Sequence, residues 1–368
     1  MRIALVHDHL IQDGGAEKVL RVFQKVFPRA PTYTLVYDKK KMAEFQDKNI
    51  KTSFIQKLPL GVKKFKWFLP LMPLATEKYE LDNYDVVLSN SSALSKGVIT
   101  RPETLHVCYC HTPTRYLWTD THLYIRELEC NKLVKKIVSL MLPKLRIWDR
   151  IAASRVDKFI ANSKTVQKRI AKYYGCKSDV IYPPVEVSKF KIFPQQENYF
   201  LAGGRLVPYK RFDLIVRAFN KLGIPLKIFG EGPEYQKLKA AAKSNIKFLG
   251  KISDEEKIEL YGKCLAFIHP QEEDFGLMVV EAMSAGRPVI AYSRGGALET
   301  VTQGKTGEFF DEQTWECLAH TVIRFKPENF NAETIRAHAM QFDQNEFEKR
   351  IKEYVEKNWQ EFKVASNK

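Results

Sequence analysis

Short apolar runs alternate with longer amphipathic stretches along nearly the whole chain. Such a pattern describes strands buried in a parallel sheet, with helices crossing between them. In the first half it predicts strands at 2–7, 32–37, 86–89, 105–110, 158–161 and 180–182, and helices at 15–27, 146–155 and 164–174. A break follows at Tyr182-Pro183-Pro184 and Phe193-Pro194-Gln195-Gln196, where prolines and polar residues end the periodicity as a linker does. The alternation then restarts. Strands are expected at 199–202, 226–229, 246–249, 265–269, 289–291 and 307–310, and helices at 211–222, 234–242, 254–263, 277–285 and 315–325. A last helix is expected over 345–362. The expectation is an α/β protein with a first domain over 1–190 and a second over 191–345, facing a central cleft of the kind that holds ligands. Residues 346–368 are expected to pack back toward the first domain.

The length of 368 residues suits about two domains. A chain 45% hydrophobic and 28% charged buries cores, which excludes wholesale disorder and fibrous repeats. Lys or Pro interrupts every apolar stretch well before the ~18 residues a membrane span needs. Met1 to Asp8 carries an acid too early for a signal peptide. The six cysteines (Cys108, Cys110, Cys130, Cys176, Cys264 and Cys317) show no CxxC spacing, so buried thiols in a reducing cytoplasm are expected rather than zinc or redox chemistry.

Charge adds a second clue. Lys plus Arg total 59 against 43 Asp plus Glu, a net +16 that predicts an anionic partner: nucleic acid, lipid headgroup or phosphorylated substrate. Two segments concentrate it. Residues 56–74 mix Lys57, Lys63, Lys64 and Lys66 with Phe65, Trp67 and Phe68. Residues 132–146 set Lys132, Lys135, Lys136, Lys144 and Arg146 among aliphatic side chains. Basic amphipathic segments bearing Trp and Phe suit an anionic membrane surface, although a helix lying on its own domain with Lys outward has the same pattern. No finger, RNP-type strand or recognition helix supports nucleic acid.

Three glycine-bearing loops stand where strands should end. Asp13-Gly14-Gly15-Ala16-Glu17 leads into the first helix, where bare N–H groups and a positive dipole end suit an anion. It lacks the GxGxxG spacing of a dinucleotide fold, and an ordinary strand–helix turn explains it equally well. Gly203-Gly204-Arg205 with Lys210 and Arg211 places two glycines and three cations at one strand end, which favours a pyrophosphate over a merely solvated loop. Gly230-Glu231-Gly232-Pro233 reads as a cleft wall or a structural turn.

The most informative stretch runs from His269 to Ile290. Glu273 and Glu281 lie eight residues apart, ~12 Å on one helix, too far for paired acid–base work on one bond. With Glu273 in the loop and Glu281 on the helix, they instead suit the two ends of an elongated ligand. The N–H groups of Phe275, Gly276 and Leu277 would then face a phosphate between them. A nucleoside diphosphate carrying a sugar has that shape. Acids complementing a helix dipole would account for Glu273 but not for Glu281.

Glu273 to Glu281, with FGL and EAMSAGRPVI in register, resembles the E-x7-E element of retaining glycosyltransferase family 4 (group 1). Gly203-Gly204-Arg205 with Lys210, Gly230-Glu231-Gly232, Gly295-Gly296 with Glu299, and Gly14-Gly15 also fall at that family's spacing. The resemblance covers nearly the whole chain. It implies the GT-B fold: two Rossmann-like domains, with the second holding the donor and the first the acceptor. It implies that Arg205 and Lys210 neutralise the donor diphosphate, Glu281 binds ribose, and Glu273 with the Phe275–Gly276–Leu277 backbone contacts the sugar. Gly14 and Gly15 are placed with them on the donor. It implies anomeric retention. No DxD motif stands in the expected metal position, so metal independence is expected, with no cofactor.

His111, in His111-Thr112-Pro113-Thr114-Arg115-Tyr116-Leu117-Trp118, ends an expected strand. The resemblance puts a histidine here near sugar and acceptor, where it would orient a hydroxyl or move a proton; a hydrogen-bonded strand-end histidine is the plainer reading. The wording around it resembles bacterial surface-polysaccharide mannosyltransferases. The expectation is therefore a metal-independent transferase moving a hexose, first of all mannose from GDP-mannose, to a lipid-linked saccharide at the inner face of the cytoplasmic membrane. A UDP-sugar enzyme of the same fold and a non-catalytic nucleotide-sugar-binding protein are the alternatives.

Overall fold

β1 (Ile3–His7) is buried at every position, as a strand covered on both faces must be. It leads through a glycine loop into α1 (Gly15–Val26), whose buried Val19, Leu20, Val22 and Phe23 face the sheet. Then follow β2 (Thr32–Thr34), β3 (Ile50–Thr52), α2 (Met72–Glu77), β4 (Val86–Ser91), β5 (Leu105–Cys110), α3 (Thr121–Glu127), α4 (Lys132–Ser154), β6 (Lys158–Ala161), α5 (Lys164–Tyr174) and β7 (Ser178–Val180). The strands form one parallel sheet in the order β3-β2-β1-β4-β5-β6-β7. That order reverses between β1 and β4, so the loops leaving these neighbours diverge and open a crevice at their C-terminal ends.

The computed structural model describes residues 1–127 and 131–366. It divides into two units: Met1–Tyr182 together with the chain from Phe347 onward, and Pro183–Glu346. The first unit thus closes at Tyr182 rather than at 190. Val185 and Val187 are buried in the second unit, whose backbone bonds Val185 to Phe342 and Gln344. The final helix, α13 (Gln344–Ser366), supplies Phe347, Ile351 and Val355 to the first unit's core beside Phe23 and Tyr109. Each such side chain contributes ~1.5–3 kcal/mol by leaving water.

The second unit contains β8 (Phe200–Gly203), α6 (Phe212–Leu222), β9 (Leu226–Phe229), α7 (Tyr235–Ala241), β10 (Ile246–Gly250), α8 (Asp254–Lys263), β11 (Phe267–His269), α9 (Leu277–Ser284), β12 (Val289–Tyr292), α10 (Ala297–Thr300), β13 (Gly307–Phe310), α11 (Trp315–Arg324) and α12 (Ala332–Ala339). Its parallel sheet runs β10-β9-β8-β11-β12-β13, with the reversal between β8 and β11. Local signals set several boundaries. Ser253 and Glu256 make a reciprocal capping box on α8, and Ser163 caps α5, which ends at Gly175 with φ +71°.

Helices α2, α3, α10 and α12 are not among the expected elements, and α4 and β3 differ for identifiable reasons. The helix expected at 146–155 is the second half of α4, which begins at Lys132 under an Asn131 cap. Leu133, Ile137 and Leu140 on its first half are exposed, so the stretch lacks the buried face that marks a helix lying on a core. β3 went unpredicted because it is a three-residue edge strand with Lys51 and Thr52 exposed. Cys108, Cys110, Cys176, Cys264 and Cys317 take part in no disulfide among the described residues; Cys130 lies outside them.

A buried polar hub fixes α4. Lys96 and Asp149 are 1% and 0% exposed and pair at 2.5 Å. The Asp149 carboxylate also accepts bonds from the Thr114 hydroxyl, the Trp118 indole and the Tyr174 hydroxyl, at 2.8, 2.7 and 2.9 Å. One carboxylate therefore ties α4 to the loops after β4 and β5 and to α5.

Candidate functional site

The C-terminal ends of β8 and β11 bring together most of the expected residues of the second unit. Beyond Gly203 and Gly204 the chain passes exposed Arg205 and a 3-10 turn, Pro208–Lys210. There Lys210 Nζ lies 2.9 Å from Glu273 Oε1. The Gln271 side-chain amide donates to the same Glu273 oxygen at 3.2 Å. Burial alone would raise the Glu273 pKa, but Lys210, His269 and Gln271 outweigh it and hold the carboxyl at about 2. Burial works against the Lys210 ammonium too, and Glu273 more than offsets it, so its pKa is raised. Both groups are charged across the physiological range.

Gly276 precedes α9 with φ +90°, a conformation that favours glycine, and turns the first N–H groups of α9 outward without intrahelical acceptors. The Phe275 side chain is buried edge-on to Phe342, so only its backbone is available to a ligand. Glu281 lies one turn along α9, 4% exposed, paired with Lys257 at 2.7 Å and accepting from the Tyr261 hydroxyl at 3.4 Å. The turn after β9 packs on this loop without room for a side chain: a Cβ on Gly230 would fall 1.9 Å from the Gly204 carbonyl oxygen. Lys210, Glu273, the Gly276–Leu277 backbone and Gly204 therefore share one strand-end surface. It offers a cation and bare amides for phosphate oxygens and carboxylates for hydroxyls.

His269 and Gln271, absent from the expected site, belong to it. The available signal was position alone: both follow directly from β11, at the sheet's reversal point.

The first unit gathers its own set at the ends of β1, β4 and β5. His7 and Asn90 are register partners. The Asn90 amide nitrogen donates to the Ala16 carbonyl at 2.8 Å and lies 3.1 Å from His7 Nδ1. The carbonyl partner identifies which end of the amide is nitrogen, so the assigned proton positions follow in sequence. His7 Nδ1 accepts, leaving its Nε2–H to donate to Glu17 Oε1 at 3.2 Å. Asn90 Oδ1 accepts from His111 Nε2 at 2.6 Å, which leaves His111 Nδ1 as a bare acceptor. Burial lowers the His111 pKa to about 4, so the ring is neutral. Asp8 beside them accepts four backbone N–H bonds, from Ser92, Ala93, Leu94 and Ser95. Gly14 has φ −168°, open to any residue; its Cβ would meet Glu17 Oε2 at 3.1 Å. Pattern reasoning identified Gly14, Gly15 and His111 but missed His7, Glu17 and Asn90, which meet only through strand register.

The two basic segments also meet within this unit. Leu69, from a 3-10 turn at Phe65–Leu71, packs against the Leu117, Leu142 and Leu145 cluster of α4. Trp67 stands 70% exposed with Lys64 over its ring. Along α4, Leu133, Ile137, Leu140, Ile147 and Ile151 are exposed, and the helix's single acid, Asp149, is buried. Among the described residues no helix is long and apolar enough to cross a membrane.

Comparison with known proteins bears on both units. Residues 13–189 match the family model described as Glycosyltransferase Family 4, and residues 186–354 match that described as Glycosyl transferases group 1. The alpha-1,3/1,6-mannosyltransferase ALG2 of Dictyostelium discoideum is 27% identical over 279 residues, 61% of this chain and 63% of that protein. The O-antigen chain mannosyltransferase RfbU of Salmonella typhimurium is 28% identical over 180 residues, 45% of this chain and 51% of that one. The chain spans about half the length of most curated relatives it matches. The crystal structure of Anabaena Alr3699/HepE in complex with UDP superimposes with a TM-score of 0.74, at 20% identity, over 97% of this chain and 100% of that one. The two parallel-sheet units are those of the GT-B fold.

Proposed function

This chain belongs to the family 4, group 1 glycosyltransferases, and on that premise we propose that it moves a hexose, mannose from GDP-mannose, onto a lipid-linked saccharide with retention of anomeric configuration. The observation that carries the donor reading is the Lys210–Glu273 pair beside the open first turn of α9. Lys210 and Arg205 neutralise the diphosphate and stabilise the charge that grows on it as the glycosidic bond breaks, a role that needs no metal or cofactor. Glu281 takes the ribose hydroxyls, Glu273 and the Phe275–Leu277 amides take the sugar, and Gly14 and Gly15 leave room for the donor. His111, neutral with Nδ1 bare, accepts a hydrogen bond from a sugar or acceptor hydroxyl. Mannose is supported by the mannosyltransferase relatives.

A UDP-sugar donor is the second reading, favoured by the likeness to a structure holding UDP. Thermal melts with GDP, GDP-mannose, UDP and UDP-glucose separate the two, because a ligand of the native state raises its melting point. The guanine pair alone is expected to do so; a shift with the uridine pair alone reverses the donor assignment, and a shift with neither removes the donor site.

The exposed apolar side chains of α4, interspersed with exposed Lys132, Lys136, Lys144 and Arg150, together with the exposed Trp67 of the same unit, are proposed to rest on an anionic bilayer. Two copies of so basic a helix would repel each other. Replacing Lys63, Lys64 and Lys66 by Gln is expected to weaken binding to phosphatidylglycerol vesicles, each charge contributing ~1 kcal/mol; unchanged binding would refute the claim.

A further inference from the structure

The end of β11 contains three polar atoms that nothing satisfies. His269 is 1% exposed and neither ring nitrogen has a hydrogen-bond partner. Gln271 is 2% exposed; its amide nitrogen serves Glu273, but its Oε1 has no partner. No other three-residue stretch among the described residues holds as many such atoms. Native chains satisfy buried polar groups almost everywhere, and a cluster of exceptions at a strand end marks a place completed by something else. Gly276, at the start of α9, lies against the ring: a Cβ placed on it would sit in van der Waals contact, 3.6 Å from His269 Nε2.

The chemistry of the unmet atoms narrows what completes them. A neutral imidazole offers one N–H and one lone pair, and Gln271 Oε1 offers lone pairs only. Alongside stand the Glu273 oxygens, which accept, and the Lys210 ammonium, which donates. A phosphate consists of acceptors, so Gln271 Oε1 and Glu273 would repel it. A row of hydroxyls, each able to donate and accept, satisfies all of these groups together. We propose that His269 and Gln271 are specificity-determining residues that hydrogen-bond the hydroxyls of the donor hexose and set which epimer is accepted. The inference rests on the reading that the β8 and β11 loops hold the donor, and it adds two residues to the sugar end of that site.

The test uses the full chain with His269→Phe and Gln271→Leu, each removing the unmet atoms at similar volume, and His269→Asn as a smaller polar variant. Binding of GDP, GDP-mannose and GDP-glucose is measured by calorimetry, with the uridine series alongside. Wild type is expected to bind the preferred sugar nucleotide about tenfold more tightly than its nucleoside diphosphate and to discriminate between the epimers. His269→Phe and Gln271→Leu should keep nucleoside diphosphate affinity within about twofold, lose the gain from the sugar and bind the epimers alike, with His269→Asn in between. Without ligand, His269→Phe should melt at or above the wild-type temperature, because it removes unsatisfied polar atoms from the interior. Sugar gain and epimer ratio unchanged in the variants, or lowered melting alone, would overturn the inference while the donor site stands. Failure of wild type to bind any nucleoside diphosphate would overturn both.

Discussion

One set of polar side chains at the strand ends of the first unit contrasts with one set in the second, although His9 Nδ1 beside the first set also lacks a partner. In the first unit Glu17, His7, Asn90 and His111 form one unbroken relay, each hydrogen bond fixing the next proton and leaving a single defined atom, His111 Nδ1, to present. In the second unit Lys210 and Glu273 satisfy each other, while His269 and Gln271 beside them hold unmet atoms. A closed network fixes one geometry in advance. An open one keeps its affinity for a molecule that has yet to arrive, and the protein bears that cost in stability until then.

This contrast can be broken at several points. The largest effect is expected where the first unit is most saturated. Asp149→Ala leaves the buried Lys96 without its carboxylate and strands the Trp118 and Tyr174 donors, and should remove ~3–5 kcal/mol of stability, read by urea unfolding. Stability close to wild type would mean that the hub is not a closed network. Next, Lys210→Met should lower release of nucleoside diphosphate from the sugar nucleotide by ~10²–10³-fold while the far-ultraviolet circular dichroism is retained. Glu281→Gln should act in the same direction, and wild-type turnover in either variant would remove the site from the reaction.

Acidification compares the units through their buried histidines. Burial lowers the pKa of His106 to about 3 and of His269 to about 4, so both remain neutral in the folded chain while the unfolded chain takes up protons near pH 6.5. The unfolded state then binds more protons, and stability falls as pH drops from about 6.5 toward 4, by ~2 kcal/mol per histidine at pH 5. A flat unfolding midpoint between pH 7 and pH 5 would contradict this. The Glu273 contribution, held by a pKa of about 2, is lost progressively as pH falls from about 4.5, where the unfolded carboxyl protonates, toward 2. The smallest effect is expected at the relay. Asn90→Leu should cost roughly tenfold in turnover, as loss of a group that orients a reacting side chain does. Asn90→Asp should raise the His111 pKa by placing a carboxylate beside it, moving the acid limb of the pH–rate profile upward.

Much of this arrangement was legible in the residue pattern, for identifiable reasons. Fully buried parallel strands such as Leu105–Cys110 and Lys158–Ala161 appear as bounded apolar runs, and glycines at 203, 204 and 276 announce turns that only a small residue fits. Glu281 stood out as an acid in an otherwise apolar helix. Asn90, His7 and Glu17 did not stand out, because their pairing comes from the register of β1 on β4 and no local spacing encodes it. The unmet state of His269 is a property of its surroundings rather than of its neighbours in sequence. The stretch 132–146 was legible as a basic amphipathic segment, but its continuity with the helix at 146–155 and the outward direction of its apolar side chains are visible only in the structure.

The last helix of the first unit sets an order of events during synthesis. Phe347, Ile351 and Val355 complete a core begun by Leu5 and Phe23, more than three hundred residues earlier in the chain, whereas 183–346 is one uninterrupted segment. As the chain emerges from the ribosome, the later unit therefore has all its parts first. The earlier one waits with an uncovered apolar face, an exception to the usual progression from N-terminus to C-terminus and a natural point for a chaperone to hold it.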